Sequence, residues 1–457
     1  MAVQGKLAGP IAIGHITNLA LSLISLAFVG HLDTKYLGAA ALGTTLYNMT
    51  AKIVLAGMLG ALDTYSSQAV GARNYGALGS MFKQGVLFLM LHTVPIAGIF
   101  VSLPTLLRHL GQSAEVTELL QPYLLVLLPG VWLDAIYRPL NRILIAQHVS
   151  LPQMWISVAV AAQHAPVTYL FIHTFKRGYI GAAYSTVWSS LLAVALVAAY
   201  VRWSHLHHRV WATPNGVTFQ GWPQYMRLSY SACAMRTIES WSLCLCTVAA
   251  GWLPDASLAL SAMAVASSMY GVAYMAFISM NQAACTRVGN GLGAGSATLA
   301  KLSAKAAAST VPLLWLVLAL VLVIPGSQLT VIRLFTNDTD PTLLRQLQHL
   351  LNLLAVLLFF DGGQTVMSGM AAGAGKQTKG FAINTFAHWG LALPAAMLFC
   401  FHLHMGVEGL YTGLILGPVA QWCCYMVLIL RLNWAREAVT AHAAMLQVAD
   451  YTGGASI

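Results

Sequence analysis

Five ionisable residues, Lys52, Asp134, Arg236, Glu239 and Asp361, stand inside stretches that are otherwise apolar. A charge in such a setting is costly, so it faces a cavity, a partner or a transport pathway. Glu239 sits in the middle of the apolar run 225–250, with Arg236 three residues earlier on the same helical face. Two readings follow: a structural Arg236–Glu239 ion pair, or a carboxylate that takes up and releases protons or another cation during a working cycle. Asp361 opens Asp361-Gly362-Gly363-Gln364 inside the run 346–373. Its glycines either make room beside the carboxylate or loosen the helix. The acid then serves a pathway or bonds to backbone exposed at a glycine kink. Asp134 has Arg138 four residues later, so an ion pair at a helix end competes with a pathway role. Lys52 lies too deep in its run to reach water easily, and it pairs with a carboxylate or faces a cavity. Asp63, at the end of its run, is cheaper to place.

Other residues are secondary. Asn18, Gln364, Trp241 and Tyr274 are expected beside a cavity, with Tyr270 and Trp389 as further aromatic candidates. His15, His92, His164 and His388 lie in or near apolar runs, where a lone histidine is more often a hydrogen-bonded core residue than a ligand. Residues 369–377 read GMAAGAGKQ, but Met370 stands where a phosphate loop needs Gly and Gln377 follows the lysine. His205-Leu206-His207-His208 and His402-Leu403-His404 fall on opposite membrane faces, so they form no clustered histidine boxes. The cysteines Cys233, Cys244, Cys246, Cys285, Cys400, Cys423 and Cys424 include no CxxC pair. No metal site, resident cofactor or catalytic constellation is expected.

These residues need elements to hold them. Charged residues are 8% of the chain and hydrophobic ones 58%, with a mean hydropathy of +0.71. A soluble domain carries about 25% charge. Twelve apolar runs, at 8–30, 37–61, 82–104, 119–146, 151–173, 179–203, 225–250, 257–285, 303–325, 346–373, 381–402 and 406–432, are each long enough to cross a bilayer. The chain therefore reads as an all-α integral membrane protein. The longest polar link lies near the middle, giving an N-lobe at 1–204, a loop at 205–224, a C-lobe at 225–434 and a tail at 435–457. The first run is far longer than a signal-peptide core and is expected to remain as a span.

The formal net charge is +10, but the basic residues are scattered, which excludes a nucleic-acid partner. With both termini on one side, that side holds fifteen Lys and Arg against six on the other. The excess of basic residues inside places both termini in the cytoplasm. Asp33, Glu115, Glu118, Asp255, Asp338, Asp340 and Glu408 then all fall outside. Asn337-Asp338-Thr339 is a glycosylation sequon in an outer loop.

The halves repeat. Gly30-His31-Leu32 matches Gly251-Trp252-Leu253, Gln68-Ala69-Val70-Gly71-Ala72 matches Asn290-Gly291-Leu292-Gly293-Ala294, and Asp134 matches Asp361. The offsets are 251 − 30 = 221, 290 − 68 = 222 and 361 − 134 = 227. A unit of six spans repeated once keeps its orientation, so the two pseudo-symmetric lobes relate by an axis along the membrane normal. By the first offset, Glu239 corresponds to Asn18. The copies are not chemically equivalent.

These residues also carry a resemblance. Phe28-Val29-Gly30-His31-Leu32, Ala61-Leu62-Asp63-Thr64 with Gln68 to Ala72, Thr286 to Gly295, and Asp361-Gly362-Gly363-Gln364 through Ser368-Gly369 resemble the signatures of the multidrug and toxic compound extrusion (MATE) family, most closely its eukaryotic, plant-like branch. The likeness runs from about residue 8 to residue 432 in the family's order. It implies two six-helix lobes around a central cavity. It also implies antiport of organic cations or metabolites against protons or sodium, with coupling through a seventh-helix glutamate and a tenth-helix aspartate, which fall on Glu239 and Asp361. Many bacterial members carry a first-helix aspartate, where this chain has only Asn18 and His15 as its main polar groups. Arg236, Thr237, Ser240, Ser242 and Lys52 depart from the family's pattern and bear on the substrate charge preferred.

The expectation is a proton-coupled exporter of organic cations, xenobiotics or secondary metabolites, not an enzyme. It is expected to be monomeric and multi-pass, in a plasma or vacuolar-type membrane. A lipid-linked saccharide flippase of the same superfamily is an alternative, disfavoured by three intramembrane acids against two bases. A sodium-coupled antiporter is another. A channel fits the duplicated halves less well.

Overall fold

The computed structural model describes residues 2–32, 34–109, 113–206, 221–335 and 340–452. Asp33, His207, His208, Arg209 and the sequon at Asn337 and Asp338 lie outside the described residues. No strand occurs among the described residues.

The helices are α1 (Ala2–Gly30), α2 (Lys35–Gly71), α3 (Tyr75–His109), α4 (Ala114–Ala146), α5 (Leu151–Thr174), α6 (Ile180–Trp203) and α7 (Trp222–Ala250). They continue as α8 (Ala256–Gly293), α9 (Ala297–Val323), α10 (Pro325–Phe335), α11 (Pro341–Gly373), α12 (Gln377–His402), α13 (Gly406–Leu430) and α14 (Trp434–Thr452). Among the described residues, eleven of these are long and apolar enough to span a membrane. The twelfth expected span is α7, 29 residues long but carrying Arg227, Arg236 and Glu239. The helix that the hydropathy pattern marks least strongly is thus the one that brings the acid.

The repeat is visible in element lengths. Helices α4 and α11 are both 33 residues long, and their starts differ by 341 − 114 = 227. Earlier in the repeat, α3 and α9 start 297 − 75 = 222 residues apart. The extra residues coincide with α10, which stands between α9 and α11.

Two compact units result. One comprises Pro10–Ser229 with Ala444–Ile457, and the other Met1–Gly9 with Tyr230–Ala443. Helix α1 therefore begins in the C-terminal unit. Gln4 fixes it there: its amide donates to the Met280 carbonyl at 3.4 Å and accepts from Arg287 at 3.0 Å.

Within the C-terminal unit, α8 and α11 pack closely because α11 has glycines where a side chain would collide. A Cβ at Gly362 would meet the Phe277 ring, one at Gly369 the Asn281 carbonyl, and one at Gly373 the Cys285 carbonyl oxygen at 2.6 Å. Small residues let two spans approach where lipid supplies no hydrophobic drive between them. Since α11 runs unbroken through Gly362 and Gly363, these glycines give room and not a kink. Helix α12 contains a π-helical stretch, Phe386–Ala392, ahead of Pro394. Proline cannot donate to the carbonyl a turn earlier, a standard cause of such widening.

Candidate functional site

The close approach of α8 and α11 sets a cluster inside the C-terminal unit. Tyr270 and Tyr274, four residues apart on α8, stack with ring centroids 5.1 Å apart. Asp361, Gln364 and Thr365 occupy one face of α11, and Glu239 comes from α7. The Tyr270 hydroxyl donates to Asp361 Oδ2. The Tyr274 hydroxyl donates to Glu239 Oε1 at 2.9 Å and lies 3.0 Å from Thr365 Oγ1. Gln364 donates one amide hydrogen to Asp361 Oδ1 at 2.7 Å and another to Thr365 Oγ1 at 3.1 Å.

Counting hydrogens orders this network. A phenol has one hydrogen. Tyr274 gives its hydrogen to Glu239, so Thr365 must donate to the Tyr274 oxygen. A directed chain then runs from Gln364 through Thr365 and Tyr274 to Glu239, with Asp361 accepting at both oxygens. Both carboxylates therefore accept from neutral donors. Among the described residues, neither makes an ion pair with Lys, Arg or His. Asp361 is 2% exposed, whereas Glu239 and both tyrosines are partly exposed. Asn281 of α8 adds support by donating to the Thr365 carbonyl at 2.6 Å and to Ser368 at 2.9 Å.

Five of the residues singled out in the sequence thus gather: Glu239, Asp361, Gln364, Tyr270 and Tyr274. Arg236 lies on α7 near Glu239, but among the described residues the two form no ion pair. Trp241 is 53% exposed; two residues along a helix is a turn of roughly 200°, so it sits on the other side of α7. Trp389 donates to the Ile238 carbonyl at 3.4 Å, joining α12 to α7.

Asn18, Lys52 and Asp134 belong to the other unit. There Asn18 donates to Gly14 of its own helix at 2.8 Å. Asp134 pairs with Arg138 at 3.0 Å. Lys52 ends a π-helical turn, Asn48–Lys52, and its ammonium lies 5.2 Å from the Tyr47 ring centroid. His164 is fully buried between Ser25 and Ser189, each 2.8 Å from a ring nitrogen.

Sequence reasoning gave too little weight to Tyr270, Thr365, Asn281 and His388. The spacing of Tyr270 and Tyr274, matched by Asp361 and Thr365, was the available signal. His388 lies 3.0 Å from Ser242, whose hydroxyl donates to the Glu239 carbonyl at 2.8 Å. Ser242 has spent its hydrogen, so His388 Nδ1 is the donor to it.

Known proteins with this architecture are numerous. The family model described as MatE matches residues 10–170 and 232–398. Multidrug and toxin extrusion protein 2 of Mus musculus is 31% identical over 437 residues, 95% of this chain and 75% of that protein. Protein DETOXIFICATION 16 of Arabidopsis thaliana is 29% identical over 438 residues, covering 95% and 89%. The crystal structure of the eukaryotic MATE transporter AtDTX14 superposes with a TM-score of 0.90 at 27% identity, covering 97% of this chain and 98% of that one. The chain is a multi-pass membrane transporter and belongs to the MATE family of multidrug and toxin extrusion proteins.

Proposed function

We propose that the protein is a proton-coupled antiporter that exports organic cations, xenobiotics or secondary metabolites, with Glu239 and Asp361 as the coupling residues. One observation carries this reading: the two carboxylates are linked through tyrosine, threonine and glutamine, with no cation in ion-pair contact with either among the described residues. An acid held by neutral donors keeps its charge available to an arriving cation. The partly exposed faces of Tyr270 and Tyr274 add cation–π attraction for an organic ammonium. Protons compete for the same oxygens, so acid on the far side of the membrane releases the substrate and resets the carrier. Tyr274, Thr365 and Gln364 join the carboxylates, so protonating one disturbs the hydrogen bonds of the other. Both termini lie in the cytoplasm in this reading, the protein works as a monomer, and its membrane is of plasma or vacuolar type.

Proteoliposomes test it. With an imposed pH gradient, wild-type protein accumulates a fluorescent organic cation, while Glu239→Gln and Asp361→Asn abolish pH-driven uptake. Wild-type rates in either variant would remove these residues from the coupling step. Uptake driven by a sodium gradient at equal pH would replace the proton by sodium.

A further inference from the structure

The C-terminal unit also carries a cleft that the carboxylate site does not use. It encloses about 940 Å³, and its charged lining is Lys376, Lys379, Arg431, Arg436 and Glu437. These come from the α11–α12 turn, the start of α12, the residue after α13, and the first turn of α14. Glu437 lies 2.7 Å from Lys376 and neutralises it. Lys379, Arg431 and Arg436 make no ion pair among the described residues. Three cations thus share one cleft without an acid to balance them.

The floor of the cleft is apolar, formed by Ile383, Val427 and Leu428 among others. Lys379 and Ile383 are four residues apart on α12, and Val427 and Arg431 are four apart at the end of α13, so each helix sets a cation directly beyond an apolar side chain. Val427 is 48% exposed and Leu430 74% exposed. A second cleft of about 470 Å³, with Lys301 and Lys305, shares Leu432 and Asn433 with the first. Basic residues therefore flank both sides of the turn between the last span and α14.

We propose that the larger cleft binds the headgroup of an anionic phospholipid. Lys379, Arg431 and Arg436 hold the phosphate, and an acyl chain runs along Ile383, Val427 and Leu428. A soluble phosphate would use the cations alone. The partly exposed apolar floor, on helices that enter the bilayer, suits an amphiphile. Basic residues between span ends attract anionic lipid by about fivefold each, so three contribute roughly a hundredfold. The Lys376–Glu437 pair ties α14 to the α11–α12 turn, so a bound lipid would also fasten the terminal helix. This inference is independent of the coupling assignment.

Cys423, exposed and in the same cleft, supplies the reporter. Purified protein is placed in nanodiscs of phosphatidylcholine with increasing phosphatidylglycerol, and maleimide labelling of Cys423 is timed, with Cys423→Ser as the blank. Phosphatidylglycerol should slow labelling. The Lys379→Gln/Arg431→Gln/Arg436→Gln variant should lose about a hundredfold in apparent lipid affinity, with its melting temperature in pure phosphatidylcholine unchanged. Should the triple variant melt early, Arg436→Gln alone should show the single-charge loss of about fivefold. Equal protection in the variants and wild type would overturn the site. Equal protection by inorganic phosphate or glycerol phosphate in phosphatidylcholine discs would overturn the lipid in favour of a soluble anion.

Discussion

Gly362→Ala separates steric packing from helix propensity by the sign of its effect. In an open position this change stabilises a helix by roughly 0.5–1 kcal/mol. At Gly362 the new Cβ would lie 2.5 Å and 2.7 Å from two carbons of the Phe277 ring, against an ordinary contact of at least 3.4 Å. Phe277 is fully buried, so its ring has nowhere to swing. Helix α8 must retreat by at least 3.4 − 2.5 = 0.9 Å. Such overpacking costs about 1–3 kcal/mol, so the net change is destabilising. The same retreat would open the Tyr274–Thr365 contact from 3.0 Å to about 3.9 Å, beyond hydrogen-bond range, and transport should fall with stability. The assay is thermal unfolding in detergent, run as a double-mutant cycle with Phe277→Leu. Gly98→Ala serves as the control because no atom lies within 4 Å of its new Cβ. The cost of Gly362→Ala should shrink by about 1 kcal/mol or more in the Phe277→Leu background. If Gly362→Ala melts above wild type, as the control should, the close packing of α8 on α11 is wrong.

Three further outcomes test other parts of the fold. His164→Ala removes two hydrogen bonds and opens a cavity among α1, α5 and α6, which should cost roughly 2–4 kcal/mol in unfolding free energy; a loss below 1 kcal/mol would mean that the ring does not bridge Ser25 and Ser189. Asp134→Asn leaves the partly exposed Arg138 without its charged partner and should cost about 1.5–3 kcal/mol, while Asp134→Asn/Arg138→Gln should recover most of it, and no recovery in the melting curve would deny the pair. Asp340 caps α11 by accepting from the Thr342 amide and hydroxyl at 2.9 Å and 2.5 Å, bonds that hold its carboxyl below the usual carboxylate range. Its contribution is therefore present above the unfolded value of about 3.9 and is lost as pH falls through the lower folded value. Asp340→Ala should remove that acid-sensitive component from melting curves, and an unchanged pH profile would show that the cap adds nothing.

What the sequence disclosed depended on the range of the signal. Span number followed from hydropathy, which is local. The repeat followed from fixed offsets, and it reappears in the equal lengths of α4 and α11. Glu239 and Asp361 stood out because a charge in an apolar run is conspicuous wherever the helix packs. Thr365 did not, since threonine is ordinary in a span and matters here only because glycines bring α8 against α11. The Arg236–Glu239 spacing permitted an ion pair, yet the carboxylate takes its bond from Tyr274 of a different helix. Spacing along one helix says which side chains can meet, but not which competitor from a neighbouring helix arrives first. The same limit concealed the link of His388 to Ser242, which depends on how α12 meets α7.

Four acids, two in each unit, divide by the company they keep. In the N-terminal unit Asp134 is held by Arg138 at 3.0 Å and Asp63 by Arg142 at 3.3 Å. A guanidinium that already occupies a carboxylate must be displaced before another cation can bind, and displacement leaves a charge uncompensated in a poor solvent for charge. Those acids are therefore committed to structural pairs, Asp134 within α4 and Asp63 between α2 and α4. In the C-terminal unit Asp361 and Glu239 are held by hydroxyls and an amide. Neutral donors orient a carboxylate without cancelling its charge, and they can turn away at the cost of a hydrogen bond. In the proposed function the repeat supplies two similar scaffolds, and the choice of arginine or tyrosine as partner selects the one that exchanges cations. The proposed coupling site thus rests on the chemistry of the donors, a criterion that the mere presence of an intramembrane acid does not meet.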